Sequence, residues 1–259
     1  MDLDLRGRRA VVTGASKGIG YACADRLAQE GCDVTIVSRD AMSLRAARDR
    51  LAVHGTDISF RALDLCESAN IDALAASCDG ADILVNNAGA IPAGRLDEVD
   101  EARWRAAWDL KVFGYINMSR RFYAAMAARR RGVIVNIIGA AGERLDAGYI
   151  AGSSGNAALI AFTRALGGSS ARDGVRVVGI NPGPVLTERL ETLLRARAQD
   201  MFGDPARWQE HLAGLPFDRA AAPDEIGALA AFLASDLSGY TTGVTFTVDG
   251  GMGARGSAY

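Results

Sequence analysis

The stretch Thr13-Gly14-Ala15-Ser16-Lys17-Gly18-Ile19-Gly20 decides the fold of this chain. It follows a short apolar run at residues 8–12 and precedes residues 21–30, whose apolar positions recur at helical spacing. Glycines allow a tight turn between a strand and a helix, and they let backbone N–H groups approach a ligand closely. The helix N-terminus then offers free N–H donors to a phosphate. This arrangement predicts a dinucleotide-binding site near the start of the chain.

Composition narrows the classes of protein that the chain can belong to. Its 259 residues are 49% hydrophobic and 23% charged, with a formal net charge of −2, and this suits one α/β domain over residues 1–259. The balanced charge gives no basis for nucleic-acid binding. Two isolated histidines and four scattered cysteines show no metal-ligand spacing, and no apolar run reaches membrane-spanning length. We therefore expect a cytoplasmic protein with a small-molecule substrate and no metal, nucleic-acid or membrane partner.

Short apolar runs alternate with amphipathic helical patterns along the whole sequence. The runs predict strands at residues 8–12, 33–37, 58–63, 83–86, 133–138, 175–180 and 244–248. The helical patterns cover residues 21–30, 41–52, 68–78, 101–131, 154–172, 187–211 and 223–234, and we expect Ser68 to cap the third of these helices. Such alternation predicts an α/β fold with a parallel sheet covered on both faces, and ligands at the C-terminal ends of its strands.

Four motifs in the expected order give the chain a family resemblance. The glycine-rich stretch resembles the cofactor motif of the short-chain dehydrogenase/reductase family. The segments Asn86-Asn87-Ala88-Gly89, Asn181-Pro182-Gly183 with Thr187, and Asp249-Gly250-Gly251 resemble three further motifs of that family. The resemblance covers essentially the whole chain. It implies a Rossmann-like doubly wound sheet of about seven strands, a nicotinamide dinucleotide, and a homodimer or homotetramer.

The end of the second strand bears on the choice of cofactor. NAD sites place an acidic residue here to hold the ribose 2′-hydroxyl, whereas NADP sites place cations. Ser38 occupies the acidic position, Arg39 follows it, and Lys17 can approach the same place, while Asp40 lies two positions late. Because Arg binds phosphate through paired hydrogen bonds, we predict NADP(H) rather than NAD(H). The alternative is that both cations are merely solvated.

The resemblance also implies which residues surround the cofactor. Asp64 and Leu65 resemble the adenine-contacting pair, and Asn156 could hydrogen-bond the nicotinamide ribose. The complete predicted cofactor set is Gly14, Ser16, Lys17, Gly18, Ile19, Gly20, Ser38, Arg39, Asp64, Leu65, Asn87, Ala88, Gly89, Asn156, Pro182, Gly183, Val185 and Thr187.

The catalytic positions depart from the family pattern. The family uses a Tyr, a Lys four residues later, a Ser about thirteen residues before the Tyr, and an Asn on the fourth helix. An ungapped alignment places Gly152, Asn156, Gly139 and Lys111 at these positions. Glycine has no proton to give, and an amide cannot supply the positive charge that lowers the pKa of a phenol. We also expect Gly152 and Gly155 to weaken the helix start, which makes Ser153 or Ser154 a late N-cap.

Tyr149 and Lys111 are the candidates for a substitute catalytic pair. Tyr149 lies about one helical turn before the vacant Tyr position. Lys111 could orient a substrate carboxylate or lower the pKa of Tyr149. The competing interpretations are a Tyr149 that faces solvent and a Lys111 that is paired with a nearby acid.

Three functions follow from an intact cofactor site beside altered catalytic positions. The first is an NADP(H)-dependent oxidoreductase that acts on a carbonyl or alcohol with a rearranged acid. The second is a cofactor-binding sensor or catalytically inactive subunit. The third is a cofactor-assisted enzyme of another reaction type.

Overall fold

A seven-stranded parallel sheet forms the centre of the protein. The computed structural model describes residues 2–255, and the strand order is β3-β2-β1-β4-β5-β6-β7 with every neighbouring pair parallel. The strands are β1 Arg9–Thr13, β2 Asp33–Ser38, β3 Ile58–Ala62, β4 Ile83–Asn86, β5 Gly132–Ile137, β6 Val175–Pro182 and β7 Val244–Val248. The predicted Rossmann-like fold is confirmed, and the chain order reverses direction across the sheet between β1 and β4.

Helices cover both faces of this sheet. They are α1 Gly18–Gln29, α2 Ala41–Leu51, α3 Ser68–Ser77, α4 Glu101–Trp108, α5 Gly114–Ala128, α6 Ile150–Ser170, α7 Glu188–Phe202 and α8 Pro223–Ala234. Successive residues of one strand show why both faces are covered. Val12 packs with Leu27 of α1 and Leu233 of α8, whereas Val11 packs with Leu74 of α3 and Phe122 of α5. Because neighbouring strand residues point to opposite faces, a strand that is apolar at both must be buried on both.

The predicted helix over residues 101–131 is divided in the structure. α4 and α5 are separated by a π-helical segment at Asp109–Phe113, which contains Lys111, and α5 ends at Ala128. A π-helical turn has a wider hydrogen-bonded ring than an α-helix and shifts the direction of the side chains within it. The single helical periodicity assumed from the sequence missed this change.

The start of α6 also differs from the prediction. The helix begins at Ile150 and not near residue 154, and Tyr149 is its N-cap. Neither Ser153 nor Ser154 caps it: the Ser153 hydroxyl donates to the Asp146 carbonyl (3.2 Å), and that of Ser154 donates to the carbonyl of Ile150 (2.9 Å). Glycine in a helix interior costs about 1 kcal/mol of stability relative to alanine, and tertiary packing outweighs this cost here.

Smaller differences occur at other boundaries. Ser68 is the first residue of α3 and not its cap, since Glu67 precedes the helix and makes no side-chain cap bond. α1 begins at Gly18, three residues before its predicted start, so the end of the glycine-rich stretch forms its first turn. The predicted helix over residues 187–211 comprises α7 and a separate 3₁₀ segment at Pro205–Leu212.

Candidate functional site

The glycine-rich turn is held against the end of β4 by hydrogen bonds. The Asn87 amide Nδ2 donates to the carbonyls of Thr13 (3.0 Å) and Gly14 (3.1 Å). A Cβ on Gly14 would lie 2.9 Å from that Nδ2, and a Cβ on Gly20 would overlap it. Only glycine therefore allows this close contact between the turn and Asn87.

The Thr13 hydroxyl completes the connection between β1 and β4. Its Oγ1 accepts hydrogen bonds from the backbone N–H groups of Asn87 (2.9 Å) and Ala88 (3.0 Å). Lys17, the N-cap of α1, makes no side-chain cap bond. The first N–H groups of α1 consequently remain available to a ligand, as a phosphate site at a helix N-terminus requires.

A cleft of about 250 Å³ opens in front of these N–H groups. The predicted cofactor residues that line it are Gly14, Lys17, Gly18, Ile19, Asn87, Ala88, Gly89 and Thr187. The structure thus brings residues of the glycine-rich turn, the end of β4 and the start of α7 to one place. Ser16 lies half-buried in the same turn.

The end of β2 carries Ser38 and Arg39, two of the three residues from which a 2′-phosphate site is predicted. Ser38 is the last residue of β2, and Arg39 after it is exposed. The carboxylate of Asp40 accepts the backbone N–H of Ser43 (2.6 Å) and caps α2, which also lowers its pKa. Asp40 is therefore engaged in helix capping. Lys17 forms an exposed ion pair with Glu188 (2.7 Å), which directs its ammonium toward α7.

The two residues of the predicted adenine-contacting pair, Asp64 and Leu65, have different surroundings. The Asp64 carboxylate accepts the backbone N–H of Cys66 (3.0 Å). Leu65 is only 4% exposed and packs into the core beside α3 and α5. Its side chain is committed to the core, so only its backbone is free to meet a ligand.

The residues after β6 line the sheet edge next to the turn. The backbone N–H of Gly183 donates to the Val248 carbonyl (2.9 Å), and the hydroxyl of Thr187 accepts the Leu190 N–H (3.4 Å) at the start of α7. Pro182 and Gly183 border a cavity of about 690 Å³. Val185 is buried, and it and Thr187 line a broader cavity of about 940 Å³ that continues toward α7.

The predicted catalytic positions meet in the 690 Å³ cavity. Lys111, Gly139, Tyr149 and Asn156 all line it. Gly152 lies directly beneath the Tyr149 ring: a Cβ at this position would overlap ring atoms Cε1 and Cζ and lie 2.5 Å from Cδ1. The phenol ring of Tyr149 therefore occupies the space into which a side chain at position 152 would extend.

Asn156 lines the same cavity and carries a buried acceptor without a partner in the described part of the chain. The residue is 2% exposed, and its Oδ1 has no hydrogen-bond partner among the described residues. Its Nδ2 lies 2.8 Å from the place of a Cβ on Gly139. A buried acceptor without a partner is costly. Because this Oδ1 is itself covered, the Nδ2 beside Gly139 is the atom of Asn156 that can meet a ligand in the cavity.

Lys111 reaches the cavity from the π-helical segment. Its Nζ donates to the Ile138 carbonyl (2.6 Å), and its stem packs over Gly89, where a Cβ would lie 2.8 Å from its Cδ. Burial, together with the nearby charge of Arg189, lowers the pKa of Lys111 to about 8. The sequence contains two lysines, Lys17 and Lys111, and both line the 940 Å³ cavity.

The electrostatics of Tyr149 correct one sequence-based hypothesis. Burial raises the pKa of Tyr149, and the cation that opposes this shift, by charge and by hydrogen bonding, is Arg189. The expectation that Lys111 lowers this pKa is wrong, because desolvation of the phenolate outweighs the nearby positive charge. The Arg189 Nη2 also donates to the Ile91 carbonyl (2.7 Å). Sequence reasoning did not select Arg189, although its position two residues after Thr187 was a usable signal.

The described residues contain neither a metal-ligand cluster nor a membrane-spanning helix. Across residues 2–255, no three His, Cys, Asp or Glu side chains are grouped as a metal ion would need. Within that same range, none of the helices has the length and apolar character needed to cross a membrane.

Fold and site together define an α/β protein with a Rossmann nucleotide-binding fold and a cavity beside the cleft at the glycine-rich turn. Residues 14–253 match the family model described as enoyl-(acyl carrier protein) reductase. The chain is 31% identical over 253 residues to the 3-oxoacyl-[acyl-carrier-protein] reductase FabG of Chlamydia trachomatis, covering 96% of this chain and 98% of that protein. It belongs to the short-chain dehydrogenase/reductase family.

Solved structures of relatives share the fold along nearly the whole chain. The L-sorbose reductase of Gluconobacter frateurii, complexed with NADPH and L-sorbose, superposes with a TM-score of 0.93 at 31% identity, covering 98% of this chain and all of that one. An NAD⁺-bound xylitol dehydrogenase superposes with a TM-score of 0.87 at 25% identity, and the match covers 96% of this chain and all of that one. Relatives of this fold therefore include proteins with either cofactor.

Proposed function

We propose that the protein is an NADP(H)-dependent oxidoreductase that interconverts a carbonyl and an alcohol with a non-standard active site. The observation that carries this proposal is the Tyr149 ring in the space beside Gly152. A phenol from one helical turn earlier thus replaces the phenol that position 152 lacks. Reductase relatives with NADPH, such as the L-sorbose reductase, support the same reaction class.

The residues present fit a nicotinamide cofactor. The free N–H groups of α1 suit its phosphates, and the Nδ2 of Asn156, next to Gly139 at the cavity, suits a ribose hydroxyl. Arg39 beside Ser38 favours the 2′-phosphate of NADP(H), since Asp40 is engaged as the cap of α2. When bound, the cofactor supplies or accepts the hydride.

Tyr149 holds the proton of the reaction. Its raised pKa keeps the phenol protonated at neutral pH, so it donates to a carbonyl oxygen in the reducing direction. The guanidinium of Arg189 stabilises the phenolate that remains. Lys111, hydrogen-bonded to Ile138, places its ammonium in the same cavity and polarises the carbonyl. Gly139 contributes no side chain to this task.

The test begins with a screen of carbonyls and alcohols against both cofactors. With an active pair, we expect Tyr149→Phe to lower kcat at least tenfold while NADPH affinity stays nearly unchanged, because the phenol supplies the proton but not the cofactor contacts. Tyr240→Phe is the matched control, since Tyr240 is fully exposed. Full activity of Tyr149→Phe would contradict the proposal.

The second candidate function is a cofactor-binding sensor or inactive subunit. It is favoured by one observation: the positions of the family Ser and Tyr are Gly139 and Gly152, neither of which carries a proton donor. Tight NADPH binding by calorimetry, with no turnover of any substrate in the screen, would favour this candidate over the oxidoreductase.

A further inference from the structure

Positively charged side chains outnumber carboxylates around the two cavities beside Tyr149. The cations are Lys17, Lys111, Arg144, Arg189 and Arg197, and the carboxylates are Asp146, Glu188 and Asp249. Three carboxylates line the two cavities there, and each is engaged by neighbouring groups. Asp146 accepts the N–H of Gly148 (2.8 Å), and Glu188 pairs with Lys17. The third, Asp249, accepts backbone N–H groups at residues 251 (2.8 Å) and 253 (2.6 Å).

Lys111 and Arg189 differ from Lys17, which pairs with a carboxylate. Neither Lys111 nor Arg189 forms an ion pair with a carboxylate within residues 2–255. Both are held in place by backbone carbonyls instead, Lys111 by Ile138 (2.6 Å) and Arg189 by Ile91 (2.7 Å). The two positive groups thus approach the 940 Å³ cavity from different elements and repel one another.

Like charges that are fixed beside one another attract an anion between them. A guanidinium presents a planar set of N–H donors that matches a carboxylate, while an ammonium acts as a point charge beside it. Tyr149 borders the same cavity, so an anion held there would lie next to the proton donor. This geometry suits a substrate with an acid group close to its reacting carbonyl.

We propose that Lys111 and Arg189 form an anion subsite and that the substrate is a short oxo acid, reduced to the corresponding hydroxy acid. The substrate class rests on the proposed function: the carbonyl carbon receives a hydride from NADPH, its oxygen receives the Tyr149 proton, and NADP⁺ is formed. The carboxylate is not altered in the reaction, and its role is to position the carbonyl.

The test measures binding separately from turnover. Protein saturated with NADPH is titrated with malonate and with malonamide, and the fluorescence of bound NADPH reports binding. We expect malonate to bind at least tenfold more tightly than the uncharged diamide. Arg189→Gln should remove at least tenfold of the malonate affinity, and Arg189→Lys should retain part of it. The matched control Arg105→Gln changes an exposed arginine on α4, which is paired with Glu101, and should have no effect.

Chemical labelling gives an independent measurement. The chain has only two lysines, so acetylation by acetic anhydride can be followed at Lys111 with Lys17 as internal reference. Malonate should slow labelling of Lys111 at least fivefold relative to Lys17, because a bound anion favours the unreactive ammonium.

Three results separate the possible failures. Equal affinity for malonate and malonamide would overturn the anion subsite. Displacement of NADPH by malonate would also overturn it, because the cations would then bind the cofactor phosphates. Turnover of neutral carbonyls without preference for oxo acids would overturn the substrate class and leave the oxidoreductase proposal intact. Tight, Arg189-dependent malonate binding without turnover of any carbonyl would support the subsite and contradict the oxidoreductase proposal.

Discussion

The phenol ring of Tyr149 fills the space beside Gly152, where a Cβ would lie 2.5 Å from ring atom Cδ1. The two residues are one helical turn apart, since Tyr149 is the N-cap of α6 and position 152 lies in its first turn. The glycine is therefore part of the site through the volume that it leaves open. Its role is to allow the ring of its neighbour into the cavity.

Replacing this glycine tests that relationship. Gly152→Ala should displace the Tyr149 ring and destabilise the protein by about 1–3 kcal/mol, the usual cost of overpacking, despite the better helix propensity of alanine. The matched control is Gly168→Ala on the same helix, because a Cβ there meets no atom within 4 Å. The control should stabilise by about 0.5–1 kcal/mol. Urea unfolding measures both, and an equal gain for the two variants would contradict the packing described.

Lys111 should make stability depend on pH. Its pKa is about 8 in the folded protein against 10.5 ordinarily. Between these values the unfolded chain binds more protons than the folded one, so this residue makes stability rise with pH, and below pH 8 its penalty is fully present. Because the side chain is only partly buried, removing this penalty in Lys111→Met should stabilise the protein at pH 7 by about 1–3 kcal/mol. The variant also loses the hydrogen bond to Ile138, which reduces the net gain by about 1 kcal/mol.

The measurement for Lys111 is urea unfolding of both proteins at several values of pH. The difference between variant and unmodified protein should be largest at pH 7 and shrink toward pH 10. A difference that stays constant over this range would show that the ammonium carries no burial penalty.

Arg39 should determine the preference between the two cofactors. Calorimetric titration should show NADPH binding more tightly than NADH, and Arg39→Ala should remove most of that difference, because the guanidinium attracts the 2′-phosphate. The preference should weaken as salt rises. Arg45→Ala is the control, since Arg45 is also exposed but lies within α2. Equal affinities in the unmodified protein would refute the prediction.

The outer helices should support a homodimer or homotetramer. Ala124 on α5 and Ala158 on α6 are exposed, and small side chains allow helices to approach closely. Light scattering at micromolar concentration should therefore give a multiple of the 27.2 kDa chain mass. Ala158→Arg should shift the protein toward the monomer, since a long charged side chain separates the helices. A monomeric unmodified protein would rule out the assembly.

Much of the fold could be predicted from the sequence, because its signals are local. Apolar runs separated by amphipathic helices require a sheet buried on both faces, and glycine-rich or Asn-Pro-Gly segments at strand ends place the ligand cleft. The boundaries of β4 and β7 agree with the prediction. Errors appear where a local rule was overridden, as at the π-helical segment around Lys111 and at the start of α6.

The sequence by itself determined the parallel sheet, the cleft at the glycine-rich turn and the identity of the residues at positions 111, 139, 152 and 156. Only the tertiary structure decided how the cavity beside these positions is filled. The position of the Tyr149 ring depends on an empty volume at Gly152, and the cation beside the phenol comes from α7, forty residues later. Volume and charge in a cavity depend on side chains from several elements that meet only in the folded chain, so no local pattern encodes them.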